Sequence, residues 1–137
     1  MLDIHITEFY NDVGRVFNFL YQQFPRPVTL WTDDIGGPDN TDEFGMHSER
    51  YLASFATVTW LKDEHYIRFE DVDKQDAFNH CCLTEQGFQA LIGVEQTVHN
   101  ETRPIDLIRH ALHEESSILM EDAVRLVFEN KLKPNKH

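Results

Sequence analysis

The chain has 137 residues, 41% of them hydrophobic and ten of them Phe, enough for one core and too few for two, which excludes a disordered or fibrous class. Twelve Lys and Arg stand against 24 Asp and Glu, a formal net charge of -12, so the average field opposes approach to nucleic acid or to an anionic membrane. No run approaches the roughly 18 apolar residues of a membrane span, and Met1-Leu2-Asp3-Ile4-His5 lacks the layout of a signal peptide, so a soluble cytoplasmic protein with no membrane partner is expected.

From Thr7, read as a cap, to Phe24, the residues Phe9, Val13, Val16, Phe17, Leu20 and Phe24 recur three and four apart. That spacing predicts a helix, ended by Pro25-Arg26-Pro27. An extended piece, Val28 to Trp31, leads into an acidic, breaker-rich stretch from Thr32 to Gly45, a loop with room for one helical turn at most. Behind Ser48, a second cap, Tyr51, Leu52, Phe55, Val58, Thr59 and Lys62 predict the inward stripe of a helix ending near Asp63. Its outward face then carries Glu49, Arg50, Ala53, Ser54 and Thr57.

Tyr66 to Glu70 and Ala77 to Leu83 alternate as strands around the polar turn Asp71 to Asp76, which predicts a β-hairpin. Cys81 and Cys82 are neighbours on the second strand, so one thiol is expected packed and the other exposed, with no unstrained disulfide between them. Thr84 caps a short third helix with Phe88, Leu91 and Ile92 on its apolar face, weakened at Gly93. After a polar connector, Glu95 to Arg103, Pro104 opens one long C-terminal helix to about Lys131, striped by Ile105, Ile108, Leu112, Leu119, Val124, Val127 and Phe128.

Trp60-Leu61-Lys62-Asp63-Glu64-His65-Tyr66-Ile67-Arg68, a charged hairpin and then Leu83-Thr84-Glu85-Gln86-Gly87 resemble the recognition helix, wing and following cap of bacterial winged helix-turn-helix proteins. The stretch from Phe9 to Leu91, with Phe24-Pro25-Arg26-Pro27 and Asp42-Glu43-Phe44-Gly45, is also similar to a family of uncharacterised small bacterial proteins. The resemblance implies a winged-helix-like core at about 7–92 with a β-hairpin wing; with the single domain, 1–137, that the length suggests and the long C-terminal helix read from spacing at about 104–131, the expected fold is α+β, mainly α. Two departures stand out. The helix that normally precedes the recognition helix is replaced by the loop with Gly36-Gly37-Pro38, and His65 takes the corner where glycine is usual.

If such a domain read DNA, its basic residues would be Arg50, Lys62, Arg68 and Lys74, few for a phosphate-binding face. The wing sets Asp71, Asp73 and Asp76 against Lys74 alone. The expected function is therefore a non-enzymatic interaction or regulatory module with a protein partner, and the alternative is a DNA-binding transcriptional regulator. Homodimerisation is expected through Ile108, Leu112, Leu119 and Val127 of the C-terminal helix, with packing on the chain's own core as the other use of that stripe. His110, His113 and Glu114 share a helical face but miss the His-Glu-x-x-His spacing, and Asp33, Asp34, Asp39, Asp42 and Glu43 miss the order of a calcium loop. A metal-dependent enzyme is thus a distant third reading, and no catalytic residue, metal or cofactor is expected.

Overall fold

The computed structural model describes residues 3–74, 76–93, 95–96 and 101–132. Helix α1, Ile4–Gln23, starts one turn earlier than its apolar stripe suggested, because Asp3 carbonyl oxygen already accepts the amides of Ile6 and Thr7. It buries Val13, Val16, Phe17 and Leu20 as expected, and also Asp12 and Gly14. Strand β1, Val28–Trp31, and a single helical turn α2, Asp33–Gly36, fill the next stretch. Helix α3 follows at Glu49–Asp63, with the Ser48 hydroxyl accepting the Tyr51 amide at its start.

The hairpin is built of β2, Ile67–Arg68, β3, Asp71–Asp73, and β4, Ala77–Leu83. Asp71 to Asp73 thus belongs to a strand and not to the turn, which narrows to the residues after it. Strand β4 is central: it pairs antiparallel with β1 through Leu30↔Phe78 and Trp31↔Ala77, and with β2 and β3 through Ile67↔Leu83 and Val72↔Phe78. At the end of this central strand both cysteines are buried, contrary to the expectation of one exposed thiol. Cys81 lies in the core, where burial pushes its thiol up to about 12, and the Cys82 thiol donates to the Pro25 carbonyl at 3.4 Å.

Helix α4, Glu85–Ile92, is capped by the Thr84 hydroxyl, which accepts the Gly87 amide at 3.0 Å. The expected polar connector contains a two-stranded pair, β5 (Glu95–Gln96) and β6 (Glu101–Thr102). The expected long C-terminal helix is two helices, α5 (Pro104–His113) and α6 (Ser117–Leu132), packed on each other and on α1. The break is a Schellman turn. Glu115 adopts φ 51, Ser116 donates its amide to the Ala111 carbonyl and Glu115 donates to Leu112, while the Ser116 hydroxyl starts α6 by accepting the Leu119 amide.

The core runs from α1 through α3 and β4 to α5 and α6, with Phe17, Leu61, Phe78, Leu91, Ile105 and Val124 sealed from solvent. Along one side, Phe9, Trp60, Tyr66 and Phe128 form an aromatic cluster; Phe9 meets Trp60 edge-on at 5.1 Å and Trp60 meets Phe128 at 5.5 Å. Trp60 is thereby fixed by rings from α1 and α6 while 38% of it stays exposed. Among the described residues no helix is long and apolar enough to cross a membrane.

Candidate interaction surface

Helix α3 is rotated from its expected orientation. Tyr51, Ser54, Thr57, Val58 and Leu61 face inward, while Leu52, 49% exposed, Ala56 and Trp60 form an outward row four residues apart. Two polar residues turn inward because each has a partner there. The Thr57 hydroxyl donates to the Ala53 carbonyl at 2.9 Å, and the Ser54 hydroxyl reaches the Asp12 carboxylate on α1 at 3.1 Å.

Arg50 goes with them. Its guanidinium grips Asp12 with two bonds, 2.8 and 2.5 Å, donates to Ser54 at 2.9 Å and lies 3.7 Å from Glu8. The bidentate Asp12 bond raises the Arg50 pKa above its ordinary value, and the paired carboxylate neutralises the charge that a phosphate would need. Arg50, expected on the outward face, therefore joins α3 to α1.

The other three basic candidates are scattered. Lys62 folds over the Phe69 ring at 4.5 Å from its centroid. Arg68 is exposed on β2, and Lys74 is exposed beside Asp73 at the hairpin tip, with φ 50. Arg50 and Lys62 lie roughly 18 Å apart along the helix axis, so these residues form no continuous stripe on α3. Further cations also cover rings: Lys131 over Tyr66, Arg125 over Tyr10 and Arg109 over Tyr21.

The segment before α3 is more ordered than its loop composition suggests. At its base, Asp39 accepts the Ser48 amide at 3.0 Å and contacts His47 Nδ1 at 2.5 Å, while the His47 ring stacks on Tyr51 at 4.2 Å. Burial opposes the Asp39 charge, but the Ser48 amide and the His47 ring more than offset this and hold its carboxyl below the ordinary value of 3.8. Burial, and then Asp76 at 2.5 Å, push the Tyr51 phenol up to about 12, so it remains a donor across the neutral range.

A carboxyl held low in the folded state stabilises the fold above the unfolded value, and that stability is lost as pH falls through the folded value. The same sign applies to Asp106, which a bond from Arg103 holds low. Thermal midpoints should therefore be flat near neutrality and fall as pH drops below about 4, with a shallower fall for Asp39→Asn. Parallel curves for wild type and Asp39→Asn would show that this carboxylate does not anchor the loop.

The expected dimer residues separate into two pairs. Ile108 and Val127 have no exposed surface and serve the chain's own core. Leu112 is half-buried, and Leu119, 38% exposed, stands at the start of α6 next to Ile118. His110, His113 and Glu114 are exposed on and just beyond α5, and among the described residues no three His, Cys, Asp or Glu converge as metal ligands. A cleft of about 410 Å³ opens between α1 and the α5–α6 turn, lined by Asn11, Arg15, Leu112, Glu115 and Ser117 among others. Within it Asn11 pairs with Ser117 and Arg15 with the Ile35 carbonyl.

Comparison with protein-family models, with curated proteins and with solved structures gives no match.

Proposed function

We propose that the chain is a non-enzymatic interaction or regulatory module on a winged-helix-like scaffold, and that α3 presents its outward face to a protein rather than to DNA. The scaffold reading is supported by the order α1, β1, α2, α3 and hairpin, with β1 pairing on the hairpin's second strand. The helix-turn-helix half departs from that pattern. A tight turn of three or four residues is usual between the two helices, whereas here twelve residues, 37–48, separate α2 from α3.

The observation that carries the reading is the row Leu52, Ala56 and Trp60, flanked by Glu49 and Asp63, on the face where a DNA reader needs Arg, Lys, Asn or Gln. Exposed aromatic and aliphatic side chains on a fixed helix suit a protein contact, and Trp60 is already immobilised by its ring neighbours. The second reading, a DNA-binding regulator, draws on the exposure of Arg68 and Lys74.

Anisotropy of a labelled random duplex separates the two. The protein-module reading predicts no saturable binding at about 50 mM salt or at about 200 mM. Binding at the lower salt that falls steeply at the higher would establish phosphate contacts and restore the regulator.

A further inference from the structure

The chain exposes two large apolar side chains on a segment held rigid from within. Between Asp42 and Met46 the backbone closes on itself: the Asp42 amide donates to the Met46 carbonyl at 3.1 Å, and the Gly45 amide to the Asp42 carbonyl at 3.0 Å. The Asp42 carboxylate then accepts the amides of Phe44 and Met46, both at 2.9 Å. Gly45 supplies the φ of 75 that a side-chain-bearing residue resists. Below this turn, Asp39 clamps residues 47 and 48 against the start of α3.

Phe44 is 81% exposed and Met46 is 64% exposed at the tip of this double closure. An isolated apolar residue on a surface needs no explanation, but two on one turn fixed by four hydrogen bonds are pre-organised, and ordering a loop is a main cost of association. Phenylalanine offers rigid area and methionine adapts to the shape it meets.

Charge selects the occupant. Residues 36–48 contain Asp39, Asp42 and Glu43 and no Lys or Arg, Glu43 and Glu49 are exposed on either side of the tip, and the chain as a whole carries -12. An acidic partner, or a second copy of this chain, would meet like charge here; a basic one would be steered in. We infer that the Asp42–Met46 turn is a docking tip for a basic, apolar protein segment, with Phe44 and Met46 as anchors and Glu43 and Glu49 facing the segment's Lys or Arg. The inference rests on the protein-module reading of α3 and names the chemistry of its partner.

The test uses the full chain and a labelled amphipathic peptide built of Lys, Leu and Phe, followed by anisotropy, with oligo-lysine of equal charge as comparison. The peptide should bind, and the double variant Phe44→Ser, Met46→Ser should weaken it roughly ten-fold or more at an unchanged thermal midpoint, since neither side chain is buried. Glu43→Lys should weaken binding and flatten its salt dependence. Oligo-lysine should bind weakly, and equally to wild type and double variant. Equal affinity of wild type and double variant for the amphipathic peptide overturns the inference, as does oligo-lysine binding as tightly as the amphipathic peptide. So does concentration-dependent self-association that only the double variant abolishes. Duplex binding in the preceding experiment would instead remove the protein-module reading itself, so the two failures are distinguishable.

Discussion

Replacing Asp12 by alanine is expected to destabilise the fold by about 2–4 kcal/mol, because it strands a half-buried guanidinium and a buried hydroxyl at once. Asp12 is 0% exposed and answers Arg50 twice, Ser54 once and Arg15 at 3.4 Å. The range is set below that for a fully sealed pair, because the Arg50 side chain keeps 30% of its surface and with it some water. The expected readout is a lower urea midpoint at unchanged slope. Arg15→Ala is the comparison: its side chain is 43% exposed and its contact with Asp12 is longer, so with its bond to the Ile35 carbonyl included the loss should be about 1 kcal/mol, well below that of Asp12→Ala. Equal effects of the two substitutions would remove the distinction between a structural network and surface charges. Arg50→Ala should behave like Asp12→Ala, so any loss of function it produces must be read against its stability.

Gly87→Ala carries the second large effect. Alanine favours helix over glycine by about 1 kcal/mol, so a first-turn helical glycine is an improvement site on propensity alone. Here the sign reverses. A Cβ at Gly87 would stand 2.1 Å from the Tyr66 carbonyl oxygen and 3.0 Å from its carbon, both backbone atoms of the segment entering β2. Thr84 locks the same approach, donating its hydroxyl toward the His65 and Tyr66 carbonyls and its amide to Tyr66. Neither α4 nor the hairpin can retreat without breaking these bonds, so Gly87→Ala should cost about 3 kcal/mol, roughly 10 °C in Tm for a chain of this size. Gly14→Ala should be milder, since its 2.1 Å neighbour is the flexible sulfur end of Met120. A Gly87→Ala variant as stable as wild type would mean that α4 and the segment entering β2 can separate without loss.

Local signals in the sequence pointed to elements well where the chemistry is local. Ser48 and Thr84 read as caps and cap, and Pro25 and Pro104 bound helices where their missing donors are tolerated. Two Schellman turns were less visible because neither uses glycine: the end of α3, where Tyr66 donates its amide to the Leu61 carbonyl and His65 to that of Lys62, and the α5–α6 break. The first places His65 at φ 67, a strain histidine bears better than a branched residue, and was marked only by the motif around it. The second places Glu115 at φ 51, inside the gap that the apolar stripe leaves between Leu112 and Leu119, where His113-Glu114-Glu115-Ser116-Ser117 carries no Gly or Pro to mark a break.

The orientation of α3 was hidden for a different reason. Periodicity ranks Leu52 above Ser54 for burial, and only Asp12, 42 positions earlier on another helix, reverses the order by satisfying Ser54 and Arg50 together. The same pairing moves Arg50 out of the basic set named from sequence, while Lys62 stays exposed with its ammonium over the Phe69 ring. The apolar tip at Phe44 and Met46 lay inside a stretch rich in Gly and Asp that reads as plain loop, since the bonds ordering it run from one aspartate to backbone amides.

The most direct measurement on α3 is a two-dimensional amide NMR titration of the labelled chain with random duplex DNA at low salt. If its outward face belongs to a protein partner, the amides of Glu49 to Asp63 and Asp71 to Lys74 stay in place throughout. Salt-sensitive shifts concentrated in those two segments would contradict that assignment and make α3 a DNA-facing helix.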